Sequence, residues 1–266
     1  MKNTSKLFLL LLVGLACFQC KPKETVITVL SYNIYHGENS YENGKSNLEE
    51  IAQLIKDLDP DFVAMQEVDS ATQRTASIRN GRAVDLTAEL AKATGMHGFF
   101  AKAIDFSNGG YGEGLLSKYP AKMSKLDLPI PEGGEGRAIA LASVEMPNGV
   151  TLTFGASHLC HQYENNRIAQ CDAILANQEN IDGPFLFAGD LNLKPDSKAY
   201  ASLTESFIDA AEAYGTPQYT FPTDDPRIRI DYVWLSKNDN WEVLEVKVLD
   251  VDYSDHMPLL VKVKLK

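Results

Sequence analysis

Apolar and polar positions along the chain alternate between two periods. Val26 to Tyr32 (Val-Ile-Thr-Val-Leu-Ser-Tyr) is β-branched and strand-like and ends at Asn33. Leu48, Ile51, Leu54, Ile55 and Leu58 then fall at helical spacing. Ser46 with Glu49 three residues later predicts a capping box at the front of this helix, and Asp59-Pro60 predicts its end. Phe62 to Gln66 reads as the next strand, ending at Glu67, and Val84 to Thr94 as a helix closed by Gly95. The middle is strand-rich: Gly114 to Ser117, Ala138 to Met146 and Val150 to Ser157, the last two joined by a Pro147-Asn148-Gly149 turn. A helix over Asn166 to Gln178 directs Ile168, Cys171, Ile174 and Leu175 inward. Phe185 to Ala188 is a short buried strand leading to Asp190. Ile228 to Leu235, Val243 to Val251 and the alternating Leu259 to Leu265 are the closing strands. Hairpins are too frequent here for an all-parallel sheet. The pattern predicts an α/β fold with mixed sheets packed face to face and helices outside.

No Gly/Ser/Pro-rich linker or internal repeat interrupts residues 26–266, which are expected to form one domain behind a polar tether over 21–25. The first 20 residues read as an export signal. Lys2 and Lys6 supply the positive end, and the apolar stretch Leu7 to Leu15 is shorter than the roughly 20 residues of a membrane span. Gly14-Leu15-Ala16-Cys17 resembles a bacterial lipoprotein processing site, with Cys20 as the alternative. This places the protein in the cell envelope, held to the membrane by a lipid anchor. Cys160 and Cys171 either pair in an oxidising compartment or stay as buried thiols. With 44% hydrophobic residues, 266 positions suffice for a sizeable core. A formal charge of −11 gives no long-range attraction to a polyanion, which disfavours nucleic acid as the main substrate.

Several apolar runs lead to a single carboxylate, which is costly to bury unless a metal or donors satisfy it. These are Val63-Ala64-Met65-Gln66-Glu67, Ala188-Gly189-Asp190-Leu191-Asn192 and Arg229-Ile230-Asp231-Tyr232, joined by Ser254-Asp255-His256-Met257-Pro258. Several strand ends presenting one acid each are how a sheet protein builds a divalent-metal hydrolytic site.

Taken in order, Ser-Tyr-Asn33, Gln-Glu67-Val, Ser-His158-Leu, Gly-Asp190-Leu-Asn192, Ile-Asp231-Tyr and Ser-Asp255-His256 resemble the endonuclease/exonuclease/phosphatase superfamily of metal-dependent phosphoesterases. The resemblance implies a four-layer α/β/β/α sandwich of two packed, mostly antiparallel mixed sheets, with a site at one end. It implies Mg²⁺, or Mn²⁺, held by Glu67 with Asn33 and Asp255. It makes Asp190 the base that activates water, Asn192 and His158 phosphate contacts, and Asp231 with His256 a coupled pair. Tyr111, Arg74 and Arg167 match substrate-binding positions of one bacterial branch; the two arginines either bind the substrate's remote group or make surface ion pairs. Glu113 departs from the Asn of many relatives, which makes a more acidic pocket the expectation there. The expected activity is hydrolysis of a small envelope or extracellular phosphodiester or lipid head group by a monomeric enzyme. The alternatives are a metal-dependent nuclease and a non-catalytic ligand-binding surface lipoprotein.

Overall fold

The computed structural model describes residues 24–266; the expected export signal, with Cys17 and Cys20, lies outside the described residues. Two sheets of six strands each form the centre. The first contains β1 (Thr25–Asn33), β2 (Phe62–Ser70), β3 (His97–Phe106), β4 (Gly109–Ser117), β11 (Trp241–Val248) and β12 (Leu259–Leu265), in the spatial order β11-β12-β1-β2-β4-β3. The second contains β5 (Lys122–Leu128), β6 (Arg137–Glu145), β7 (Thr151–His158), β8 (Phe185–Asp190), β9 (Phe207–Asp209) and β10 (Asp231–Ser236), in the order β5-β6-β7-β8-β10-β9. Only β1–β2 and β7–β8, one pair at the middle of each sheet, are parallel.

Strand alternation sorts the core into three slabs. Ile27, Val29, Phe62 and Ala64 of the first sheet meet Ala140, Phe154, Ala156, Leu186, Ala188 and Val233 of the second. The intervening residues Leu30, Tyr32, Val63 and Met65 face outward onto α1 (Leu48–Leu58) and α3 (Leu86–Thr94). On the opposite outer face, Phe185, Phe187, Tyr232 and Trp234 pack on α4 (Glu164–Gln178) and α5 (Lys198–Ser206). The result is the expected α/β/β/α sandwich. A period of two on a buried strand gives both faces an apolar coat, which is why these strands read as continuous apolar runs.

Several expectations are corrected in detail. The capping box does not form: Asn47 is the N-cap without a side-chain bond, and Glu49 reaches Arg79 at 2.8 Å. The second strand does not stop at Glu67 but runs on to Ser70 through a bulge. Ile228 is not part of β10; it pairs with Phe221 in a short ribbon beside it. Cys160 and Cys171 are buried free thiols. The edge strand β3, the short helices α2 (Gln73–Ile78) and α6 (Ala210–Tyr214), and the elements β5, α5 and β9 had no counterpart in the sequence reading.

Candidate active site

Parallel strands share a C-terminal edge, and the two parallel pairs place theirs at the same end of the sandwich. In β1–β2, Asn33 stands opposite Gln66. In β7–β8, His158 stands opposite Asp190, and β10 starts there with Asp231 opposite Asp190. Glu67 follows Gln66 within the bulge, where two residues of β2 oppose the single Glu113 of β4. Its backbone lies in the left-handed region (φ 58°), a conformation that re-aims the side chain.

Asn33 ties the sheets together. Its amide nitrogen donates to Glu67 Oε1 and to Asp190 Oδ2, each at 3.1 Å, while its oxygen accepts from Tyr35 N at 3.2 Å. This bonding fixes which way the amide points. Asn33 therefore holds the two acids beside each other.

Asp190 is the point of convergence. Its Oδ1 accepts from Asn192 N at 3.0 Å. Around Oδ2 lie His158 Nε2 at 3.4 Å and His256 Nε2 at 3.5 Å. Burial raises the Asp190 carboxyl to about 7 against the pull of the His256 charge. His256 Nδ1 bonds Asp231 Oδ2 at 3.0 Å. Burial disfavours the imidazolium, but Asp231 and Asp190 outweigh it and lift its pKa to about 10. The ring is thus cationic at neutral pH, as the coupled-pair reading expects. His158 is the opposite case: burial, then the charges of Arg137 and His256, hold it well below the usual histidine range. Its Nε2 lies 3.0 Å from the Asn192 amide nitrogen and 3.4 Å from Asp190 Oδ2, and its Nδ1 is buried with no hydrogen-bond partner among the described residues.

Glu67, His158, Asp190, Asn192 and His256 line a cleft of ≈ 500 Å³ together with Tyr111, Arg167 and Asp255, while Asn33 and Asp231 stand behind them. Arg167 is braced by the Cys160 and His161 carbonyls. Arg74 is not on the cleft wall. It forms a two-pronged bond with Asp69, at 2.7 and 2.8 Å, and lies 4.5 Å from the centre of the Phe106 ring. Its partner is fully buried while Arg74 itself is half-buried, so the pair spans from interior to surface. Glu113 is buried and does not line the cleft, and burial pushes its carboxyl well above the usual carboxylate range.

Sequence reasoning missed Arg137, which is 2% exposed and lines the cleft. Its guanidinium bonds Glu135, the Leu159 carbonyl and His161 Nδ1. An arginine opening the apolar run Ala138-Ile139-Ala140-Leu141-Ala142 was the available signal.

The donor set suits a hard divalent cation. The Glu67 carboxylate has no cationic side chain paired to it, and its charge is opposed by burial and by neighbouring Asp255. Ligand atoms of Asp190, Asp231 and His256 also lie within 4.8 Å of one another, but there the imidazolium already serves as the cation. Glu67 and Asp255 are thus the better-suited oxygens.

Residues 30–256 match the Endonuclease/Exonuclease/phosphatase family. The uncharacterized protein YbhP of Escherichia coli K12 is 28% identical over 250 residues, covering 89% of this chain and 96% of that protein. An endonuclease/exonuclease/phosphatase family protein from Bacteroides thetaiotaomicron superposes with a TM-score of 0.74 at 16% identity, over 92% of this chain and 97% of the other. The mannosyl-6-phosphatase of the same organism gives 0.72 at 16% identity, over 89% and 99%. At such identities the superpositions show a shared fold.

Proposed function

Since this chain belongs to the endonuclease/exonuclease/phosphatase family, we propose that it is a divalent-metal-dependent hydrolase of phosphate esters, acting on a small phosphodiester. The observation that carries this is the surround of Asp190, a carboxylate near neutrality with an imidazolium 3.5 Å away. General-base catalysis favours a pKa close to the working pH, and a fixed cation favours charge growing on phosphoryl oxygens.

Asp190 takes the proton of the attacking water. His256, oriented through Nδ1 by Asp231, stabilises the phosphoryl oxygens, and Asn192 and neutral His158 hold the phosphate in line. Glu67 and Asp255 would hold Mg²⁺ or Mn²⁺, which when bound supplies positive charge for the phosphate and the departing oxygen. Arg137 and Arg167 add fixed positive charge on the wall of the cleft. The net charge of −11 argues against a long polyanion as substrate. An envelope address, through lipid on Cys17 or Cys20, belongs to the same proposal and rests on the N-terminal sequence alone.

Turnover of 4-nitrophenyl phosphate esters tests the reading. EDTA should abolish it, and Mg²⁺ or Mn²⁺ should restore it. Asp190→Asn should lower it about 10²–10⁴-fold, and Glu67→Gln should weaken metal activation while the protein stays folded. Full activity in chelator would sink the metal assignment, and a fully active Asp190→Asn enzyme the base.

A further inference from the structure

A second cavity, of ≈ 520 Å³, adjoins the catalytic cleft and shares Lys194 and Ile228 with its wall. No step of the proposed chemistry uses it. Its sides come from the segment after β8 (Pro195, Asp196), the segment after α6 (Pro217, Gln218, Tyr219) and the strand of a short ribbon that runs into Arg229. The ribbon is closed by bonds in both directions between Phe221 and Ile228. Tyr219 and Phe221 lie two residues apart on one strand of this ribbon. Phe221 packs against His256, ring centres 4.6 Å apart, inside the cleft. Tyr219 is 58% exposed and lines the second cavity. One short stretch of chain thus runs from the ring against His256 to an exposed aromatic ring in the next cavity.

The chemistry of the walls narrows the occupant. Lys194, at the threshold, has no ion-pair partner among the described residues, whereas Arg229 is engaged by Asp209 and Glu212. An acyl chain needs a continuous apolar channel, and Lys194, Asp196, Glu212, Arg227 and Arg229 interrupt the apolar lining of this cavity. A quaternary or primary ammonium would meet the Lys194 charge, which no carboxylate among the described residues pairs with. A ring with one flat face and a hydroxyl-bearing edge meets neither objection. Its face covers Tyr219, and Asp196 and the Gln218 amide take its hydroxyls. A phosphodiester carries two alcohols, and two joined cavities give each a place.

We propose that the second cavity binds the non-reacting alcohol of the phosphodiester, and that this alcohol is a cyclic polyol such as a sugar or an inositol. The proposal rests on the phosphate-ester reading above. Its test compares kcat/KM on glycerophosphoinositol, glycerophosphoethanolamine and methyl 4-nitrophenyl phosphate in wild type and Tyr219→Ala. Wild type should prefer glycerophosphoinositol to glycerophosphoethanolamine. Tyr219→Ala should lower kcat/KM on glycerophosphoinositol about tenfold, mainly through KM, and leave the methyl ester within about twofold. Tyr219→Phe, which keeps the ring, should retain the preference. An unchanged glycerophosphoinositol rate, or an equal fall on all three esters, overturns the polyol subsite. Loss confined to the 4-nitrophenyl ester of thymidine 5′-phosphate overturns it in favour of a nucleoside. A wild-type protein inert towards every ester, with Mg²⁺ or Mn²⁺ present, removes the underlying hydrolase reading and this proposal with it.

Discussion

His256 is held as a cation between Asp231 at 3.0 Å and Asp190 at 3.5 Å. Its folded pKa, about 10, lies above the ordinary 6.5. A basic group shifted upward adds stability that is fully present below the unfolded pKa and is lost as pH rises through the folded one. Asp231→Asn keeps an acceptor for Nδ1 but removes the charge. In chelator, the variant should be less stable than wild type by on the order of 3 kcal/mol at pH 6. The gap should close above about pH 10 as the wild-type ring loses its proton. Thermal unfolding across that range measures it, and a gap independent of pH would show that the pair is an ordinary hydrogen bond. The same scale shows where sequence reading stops. Asp190 and Asp231 were legible because carboxylates behind apolar runs call for partners, and His256 through its place beside Asp255 in the ordered set of motifs. The direction of the Asn33 amide was not, because two acids distant in sequence, Glu67 and Asp190, help to set it. Arg137 escaped because arginine is ordinarily at the surface, and its place at the head of an apolar run was the single hint of burial.

The strands that carry the site depend on close backbone approach. A Cβ on Gly189 would come within 1.8 Å of the Ser157 carbonyl oxygen, across the β7–β8 pair. Because that obstacle is backbone, relief means parting the two strands whose last residues are His158 and Asp190. Gly189→Ala should therefore cost about 2–4 kcal/mol and lower turnover more than the lost stability explains. Urea unfolding midpoints and rates measured well below the transition separate the two effects; a folded, fully active variant would show that the strands tolerate the shift. Buried elements such as β8 and β12 were readable from the apolar pattern. The edge strand β3, largely exposed at both ends, carried too weak an alternation to be seen. The bulge at Glu67 was invisible for a different reason. Its left-handed backbone falls on a glutamate, where local propensity gives no sign of it.

Across the whole molecule, the site has no home in either sheet alone. Asn33 and Glu67 come from the first, and His158, Asp190 and Asp231 from the second. They meet only when the inter-sheet slab of Phe62, Phe154, Ala156 and Val233 closes. Loss of activity in rising urea should accordingly coincide with loss of far-ultraviolet circular dichroism, in one transition. Activity that disappears at clearly lower denaturant would mean that the catalytic end opens while the sandwich persists. Fold class was readable at this scale because hairpin frequency and helix spacing are local signals, whereas strand order and the second cavity arise from contacts between distant segments.

The ends of β1, β7, β8 and β10 carry Asn33, His158, Asp190 and Asp231, while Tyr219 and Lys194 sit on connecting segments. Reaction chemistry is anchored in a core that tolerates little change, and the surfaces that greet the substrate hang from loops that tolerate much. Selection can then rewrite what such a protein accepts by lengthening or exchanging a loop, with the hydrolytic machinery inherited intact.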